Sequence, residues 1–235
     1  MSSMPFLLAI LLLGPAETKN QVPEVEQYLK SGENSRAIAV LKEIGTHKGN
    51  DEEAVALVGF IRTSRLARPP EITEAAFLAL RGIGSRKVTR KVLALLDHST
   101  LKKDPQIRIG VARALEGSAD PLGIEPIIKL LRDKDDQVVA AAARAAGAYR
   151  YEKESTRKDF FKTIVGNYES TWNLKNSVDP DKKVERARAE RKWEVIEGPM
   201  ERSLQLLSNT VQPDPPSWRR WWNKNKKKKW ASLDN

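Results

Sequence analysis

His47 and His98 are the only imidazoles in this chain, and cysteine is absent. Acid–base, nucleophilic or metal chemistry would have to be built from two histidines and the carboxylates. Zinc sites normally use three or four His, Cys or carboxylate ligands, and here the acids are scattered along the chain. A Ser-His-Asp site needs a nucleophile with its own presenting motif, and none accompanies His47-Lys48 or His98-Ser99. Both histidines fall in expected inter-helix turns and read as unpaired surface residues. The segment Gly82-Ile83-Gly84-Ser85-Arg86-Lys87 is the other short motif with chemical potential. A phosphate-binding loop needs the full glycine spacing behind a buried strand, so this segment reads instead as a glycine turn closing a helix at positive φ. No catalytic residue, metal or cofactor is expected.

The C-terminus carries a denser pattern. Trp218, Trp221 and Trp222 are spaced i, i+3, i+4, which gathers them on one face of a helix. Arg219, Arg220 and Lys224 flank that face, and Lys226, Lys227, Lys228, Lys229 and Trp230 follow. Three uses fit these residues. Indoles at headgroup depth, with lysines over anionic lipid, would make a membrane-surface contact. Lysines that release counterions, with indoles stacked on bases or sugars, would bind an anionic polymer. Alternatively the tryptophans cover the exposed end of a helical array, as terminal repeats require, with the lysines left in solvent. The capping use is favoured for the tryptophans, and the lysine run stays open.

The elements that must position these residues show a repeat. Ile107, Val111, Ala114 and Leu115 form an i, i+4, i+7, i+8 stripe. The same stripe recurs 35 residues earlier at Ile72, Ala76, Ala79 and Leu80, and 31 residues later at Val138, Ala142, Ala145 and Ala146. Offsets of this size mark stacked helix pairs. The expected pairs are 23–29 with 35–44, 71–81 with 86–96, 106–116 with 124–132, and 137–148 with 154–165, with a further helix over 51–65. Asp104-Pro105 and Asp120-Pro121 supply cap acceptors ahead of a proline whose missing N–H costs nothing in a first turn. The second helices are expected to bury Val92, Leu93 and Leu96, then Ile127, Ile128 and Leu131, then Phe160, Phe161 and Ile164. One pair alone cannot cover such stripes, so the pairs must stack.

The run Asp104-x-x-Ile107-Arg108-x-x-Val111-Ala112-x-Ala114-Leu115, then Ile124-x-Pro126-x-Ile128-x-x-Leu131-x-Asp133, resembles a HEAT repeat of the short bacterial type. The likeness covers 71–165 well and 23–65 loosely. It implies an all-α fold, an α-solenoid of stacked antiparallel helix pairs that binds through its surface. The family's arginine after the first apolar position is present as Arg108, while Thr73 and Val139 replace it elsewhere, so the implied Arg–Asp ladder is incomplete. Iron-binding hydroxylases of HEAT type use repeated His-Glu pairs, and this chain has none. The ending Trp218-Arg219-Arg220-Trp221-Trp222 resembles the Trp-x-x-Trp-Trp segment of exported bacterial HEAT-repeat proteins. In stacked pairs the second helices usually line a concave face, whose outward positions here include Arg90, Lys129, Lys158 and Lys162, a mildly basic ridge.

Charge is unevenly placed. Of a net +10, residues 217–235 contribute +6 from seven Lys/Arg against one Asp, leaving +4 for everything before them. The expected organisation is a signal peptide at 1–16, a solenoid at 23–170, a linker at 171–182, a helical cap at 183–212 and a basic tail at 213–235. The function expected is a non-catalytic protein-binding or scaffolding module whose partner is another protein, with an anionic polymer or anionic membrane as further contacts of the tail. A nucleic-acid-binding HEAT-like protein, even a base-excision type enzyme, is the alternative and needs a cytoplasmic chain. The unbroken apolar run 6–13, followed by Gly14-Pro15-Ala16, reads instead as an export signal cleaved after Ala16. N-terminal sequencing of the native protein is expected to start near Glu17; an intact Met1 would reverse the localisation.

Overall fold

The three apolar stripes are buried at every position, and the helices that carry them lie one on the next. In the computed structural model, residues 20–63 and 69–231 are described; the expected signal segment 1–16 and the end of the third expected helix at Arg65 lie outside them. Among the described residues there are eleven α-helices and no strand. They are α1 (Val22–Lys30), α2 (Asn34–Ile44), α3 (Asp51–Thr63), α4 (Pro70–Ile83), α5 (Thr89–Asp97) and α6 (Pro105–Ser118), then α7 (Ile124–Leu130), α8 (Asp136–Ala148), α9 (Glu154–Lys175), α10 (Lys183–Ser208) and α11 (Pro215–Asn225). One row runs α2, α4, α6, α8, α10, each packed on its predecessor; beside it α1 meets α3, α3 meets α5, α7 meets α9 and α9 meets α11.

Local chemistry sets the helix starts. The Asp104 carboxylate accepts the Gln106 N–H at 2.9 Å ahead of Pro105, and Asp135 accepts from Gln137 and Val138 at 2.9 and 3.2 Å. Asp120 caps a short 3-10 turn, Pro121–Gly123, rather than α7 itself. Asp214 accepts the Ser217 N–H at 2.7 Å ahead of Pro215, which starts α11. Each such cap contributes about 1 kcal/mol. Arg108 forks onto Asp133 at 2.7 and 3.0 Å and donates a third bond to the Lys102 carbonyl at 2.9 Å. This clamps the start of α6 to the loop after α7.

Spacing within the row is set where helices touch backbone to backbone. A Cβ on Gly82 would sit 2.1 Å from the Gly45 carbonyl oxygen, and one on Gly117 would sit 2.0 Å from that of Arg81. Neither position has room for a methyl group, so α4 rests directly on the end of α2, and α6 on α4. Gly84 closes α4 at φ 65°, as the glycine turn requires.

Three features depart from the sequence expectation. The burial stripe of α5 falls on Val92 and Leu95, with Leu93 and Leu96 only partly covered, and in α7 Ile128 is likewise only partly covered while Leu130 is buried. Residues 171–175, expected to begin a linker, continue α9, because Tyr168 and Thr171 extend its buried face and the Tyr168 ring stacks on Trp193 at 4.9 Å. The helical cap expected over 183–212 is a single helix, α10, that passes through Pro199, where the proline argues locally for a break. A proline inside a helix costs about 3 kcal/mol. It is offset by packing on both sides, with Ile196, Met200, Leu204 and Leu207 buried and the Ser203 hydroxyl donating to the Ala143 carbonyl at 2.5 Å.

Gly117→Ala is expected to cost at least about 2 kcal/mol in urea unfolding, since the α4–α6 spacing must open. Gly59→Ala, mid-helix in α3 with nothing within 4 Å of the new Cβ, should stabilise by about 0.5–1 kcal/mol.

Candidate functional site

An open cleft of about 580 Å³ runs across the last turns of α4, α6 and α8 to the flank of α10. Gly82, Gly117 and Gly147 line it without side chains, and Lys48, Arg81, Glu116, Arg144, Arg150 and Tyr151 surround them, with Leu78 and Leu206. At all three glycines the place of a Cβ is taken up by a neighbour, the Gly45 backbone, the Arg81 backbone and the Leu206 side chain respectively, so the floor of the cleft is largely backbone. Two ion pairs cross from α4 to α6 beside it, Arg81 to Glu116 and Arg113 to Glu74, each at 2.7 Å. Arg150 donates to the Tyr151 hydroxyl at 2.8 Å. Arg144, on α8, makes no hydrogen bond or ion pair among the described residues. The residue as a whole is exposed, yet the recess costs its guanidinium hydration. Desolvation lowers its pKa from the ordinary value, Glu116 acts against that, and Arg113 and Arg81 add to it. Arginine stays ionised through such a shift.

The expected basic ridge is only partly assembled. Arg90 on α5 and Lys162 on α9 are exposed cations. Lys129 is exposed and paired with Glu125 at 3.0 Å within α7. Lys158 differs from the expectation: it pairs with Glu154 at 2.5 Å, donates to the Lys228 carbonyl at 2.8 Å and lies 5.6 Å from the Trp230 ring centroid. It holds the tail rather than facing outward. Lys162 shares a recess of about 380 Å³ between α7 and α9 with Arg132 and Asp159.

The tryptophans of the tail surround one side chain. Trp218, Trp221, Trp222 and Trp230 place their ring centroids 5.8, 5.1, 5.4 and 5.4 Å from that of Phe161 on α9. Trp218 is fully buried, Trp222 and Trp230 are buried and Trp221 is half-buried. Arg219 bonds Glu169 at 2.6 Å, and Arg220 donates to the Ser217 hydroxyl at 2.8 Å. Lys226, Lys227, Lys228 and Lys229 remain exposed.

Two positions escaped the sequence reading. Arg157, buried in α9, donates twice to the Leu207 carbonyl at 2.9 and 2.7 Å and once to that of Ala231 at 2.8 Å, with its guanidinium carbon 5.5 Å from the Trp230 ring. It satisfies carbonyls at the end of α10 and pins the tail, a role invisible in a helix read only for its apolar face. His47 is the second. Its Nδ1 lies 2.7 Å from the Glu53 carboxylate, which is fully buried and also accepts from Asn50 Nδ2 at 2.9 Å and from the Gln21 backbone at 3.3 Å. The expectation of an unpaired surface histidine is therefore corrected for His47, which joins the α2–α3 turn to the start of α1. His98 is exposed and contacts Thr100 Oγ1 at 3.1 Å. Among the described residues no three His, Asp or Glu side chains converge as metal ligands, and no helix is long and apolar enough to cross a membrane.

Because Phe161 is the common contact of four indoles, Phe161→Ala should cost about 3–5 kcal/mol. The loss is read as a lower urea midpoint, with tryptophan emission shifted to the red in the native baseline.

The chain matches no protein-family model, no curated protein and no solved structure.

Proposed function

We propose that this chain is a HEAT-like α-solenoid acting as an exported, non-catalytic protein-binding or scaffolding module. The observation that supports the reading is the row α2, α4, α6, α8 and α10, each packed on the one before it, together with an aromatic lid over α9. The fold's own contacts use up the C-terminal end of the stack, so the long faces are what a partner can reach. Multi-point contact along such faces is how stacked repeats bind. The tail divides its work: its indoles belong to the lid, and its four consecutive lysines add an electrostatic, salt-sensitive contribution to encounter. A membrane anchor needs indoles at the lipid interface, and with these rings packed around Phe161 the lysines alone would have to hold the surface.

Deleting 213–235 would uncover Phe161 and confound any binding test, so the tail is better examined by replacing Lys226, Lys227, Lys228 and Lys229 with Gln. Immobilised full-length protein and this variant, exposed to native extract, should retain the same protein, with the variant's retention less sensitive to salt. Retention abolished by nuclease would favour the nucleic-acid reading instead, and retention of no protein would overturn the module.

A further inference from the structure

The repeat register explains why Arg144 lacks a partner. Counted by the 31-residue offset, Arg144 stands where Arg113 stands in the preceding helix. Arg113 is neutralised by Glu74 one helix back. The 35-residue offset carries Glu74 onto position 109, which is a buried isoleucine. Arg144 therefore inherits the cation of the repeat without its acid.

Part of the positive charge in the cleft is answered by the fold itself. The ends of α4, α6 and α8 converge there, and at about half a negative charge each they contribute roughly −1.5. Together with Glu116 they fall short of Lys48, Arg81, Arg144 and Arg150 by roughly 1.5 charges on the same scale. That excess suits one or two carboxylates. A nucleic-acid backbone brings a charge at every nucleotide and would run over Glu116. The cleft also offers apolar contact, since Leu78 and Tyr151 are each 43% exposed and Leu206 lines the wall.

We propose that this cleft binds a short acidic segment of a partner protein, with Arg144 gripping a carboxylate and Leu78, Tyr151 and Leu206 receiving the adjoining aliphatic side chains. The guanidinium fork presents two parallel donors to a carboxylate. The proposal rests on the protein-binding reading above and names the face and the chemistry of the partner.

The test is fluorescence anisotropy of a fluorescein-labelled peptide of alternating Glu and Leu, titrated with the full chain at low and moderate salt. Arg144→Glu and Arg144→Ala break no internal bond, so both should keep the wild-type melting temperature. Arg144→Glu should weaken binding at least about tenfold, as removal of a desolvated charge partner does, with Arg144→Ala between it and wild type. Lys162→Glu, on the other helix row, should leave affinity unchanged. Equal affinity of wild type and both Arg144 variants overturns the proposal, as does an equal loss in Lys162→Glu, which would mean diffuse charge attraction. Tighter binding of a charge-matched oligothymidylate with the same Arg144 dependence also overturns it, in favour of nucleic acid. None of these outcomes alters what the immobilised chain retains from extract, so the cleft and the module fail separately.

Discussion

The direct seating of one helix end on the next is the contact from which most of this molecule follows. At Gly82 and Gly117 the neighbouring backbone occupies the place of a side chain, so the row from α2 to α6 has no adjustable layer between its members. Elsewhere in the row alanines do similar work: Ala140, Ala141, Ala142 and Ala143 on α8 are all buried. A close seam has two consequences. It fixes the separation of the side chains standing beside it, which is why Arg81 reaches Glu116 and Arg113 reaches Glu74 at the same 2.7 Å. It also brings the last turns of α4 and α6 side by side, where Arg81, Gly82, Glu116 and Gly117 line one wall of the open cleft.

The C-terminal end of the molecule presents the opposite problem, since its last long helices have no further helix of the row to cover them. α9 ends the run of recognisable second helices with Phe160 and Phe161, both fully buried. Burying a large apolar side chain is worth about 1.5–3 kcal/mol, and without α11 the Phe161 ring would lose that covering. The tryptophan spacing answers this requirement, and Arg157 completes it from beneath by bonding the Leu207 and Ala231 carbonyls. A buried guanidinium is tolerated because its donors meet carbonyl oxygens in a place where water is excluded. The described part of the basic tail is thus tied to the fold at Trp230 and Ala231, while the side chains of Lys227, Lys228 and Lys229 stand in solvent.

Much of this architecture is legible in the sequence, because an apolar stripe of helical period and an Asp-Pro cap are local signals. Ile72, Ile107 and Val138 are buried as their period requires, and Asp104 caps as its neighbour Pro105 suggests. What is not legible depends on contacts between distant residues or on loop conformation. His47 and Glu53 meet only because the turn before α3 folds back, and nothing in their spacing marks them as a pair. Pro199 argues locally for a break, and packing of α10 on two neighbours overrides it. Leu95 replaces Leu96 in the α5 stripe because α5 packs on α6 and α3 through the face of Thr89, Val92 and Leu95, an orientation that its run of leucines leaves undecided. The cleft is an intermediate case. Gly82 and Gly117 keep the 35-residue offset of the stripe, whereas Gly147 follows Gly117 by 30 residues against 31 for the stripe, so the glycines are visible in the sequence while the contacts they make are not.

Two arginines show how a repeat turns from structure to surface. Arg108 has its acid: Asp133 takes both tines of the fork, and the pair is only 11% and 13% exposed. Its charge is consumed within the fold and is invisible from outside. Arg144 lies on a helix built to the same plan, but the preceding helix offers Ile109 where an earlier one offers Glu74. A single apolar replacement in a series of lateral ion pairs has two effects at once. It adds to the core, since isoleucine at that point is buried with 6% exposure, and it leaves the cation of α8 without a lateral ion pair, with only the field of Glu116 to answer it. On the proposed reading, such an irregularity is where the chain meets its partner without giving up a hydrogen bond or ion pair of its own.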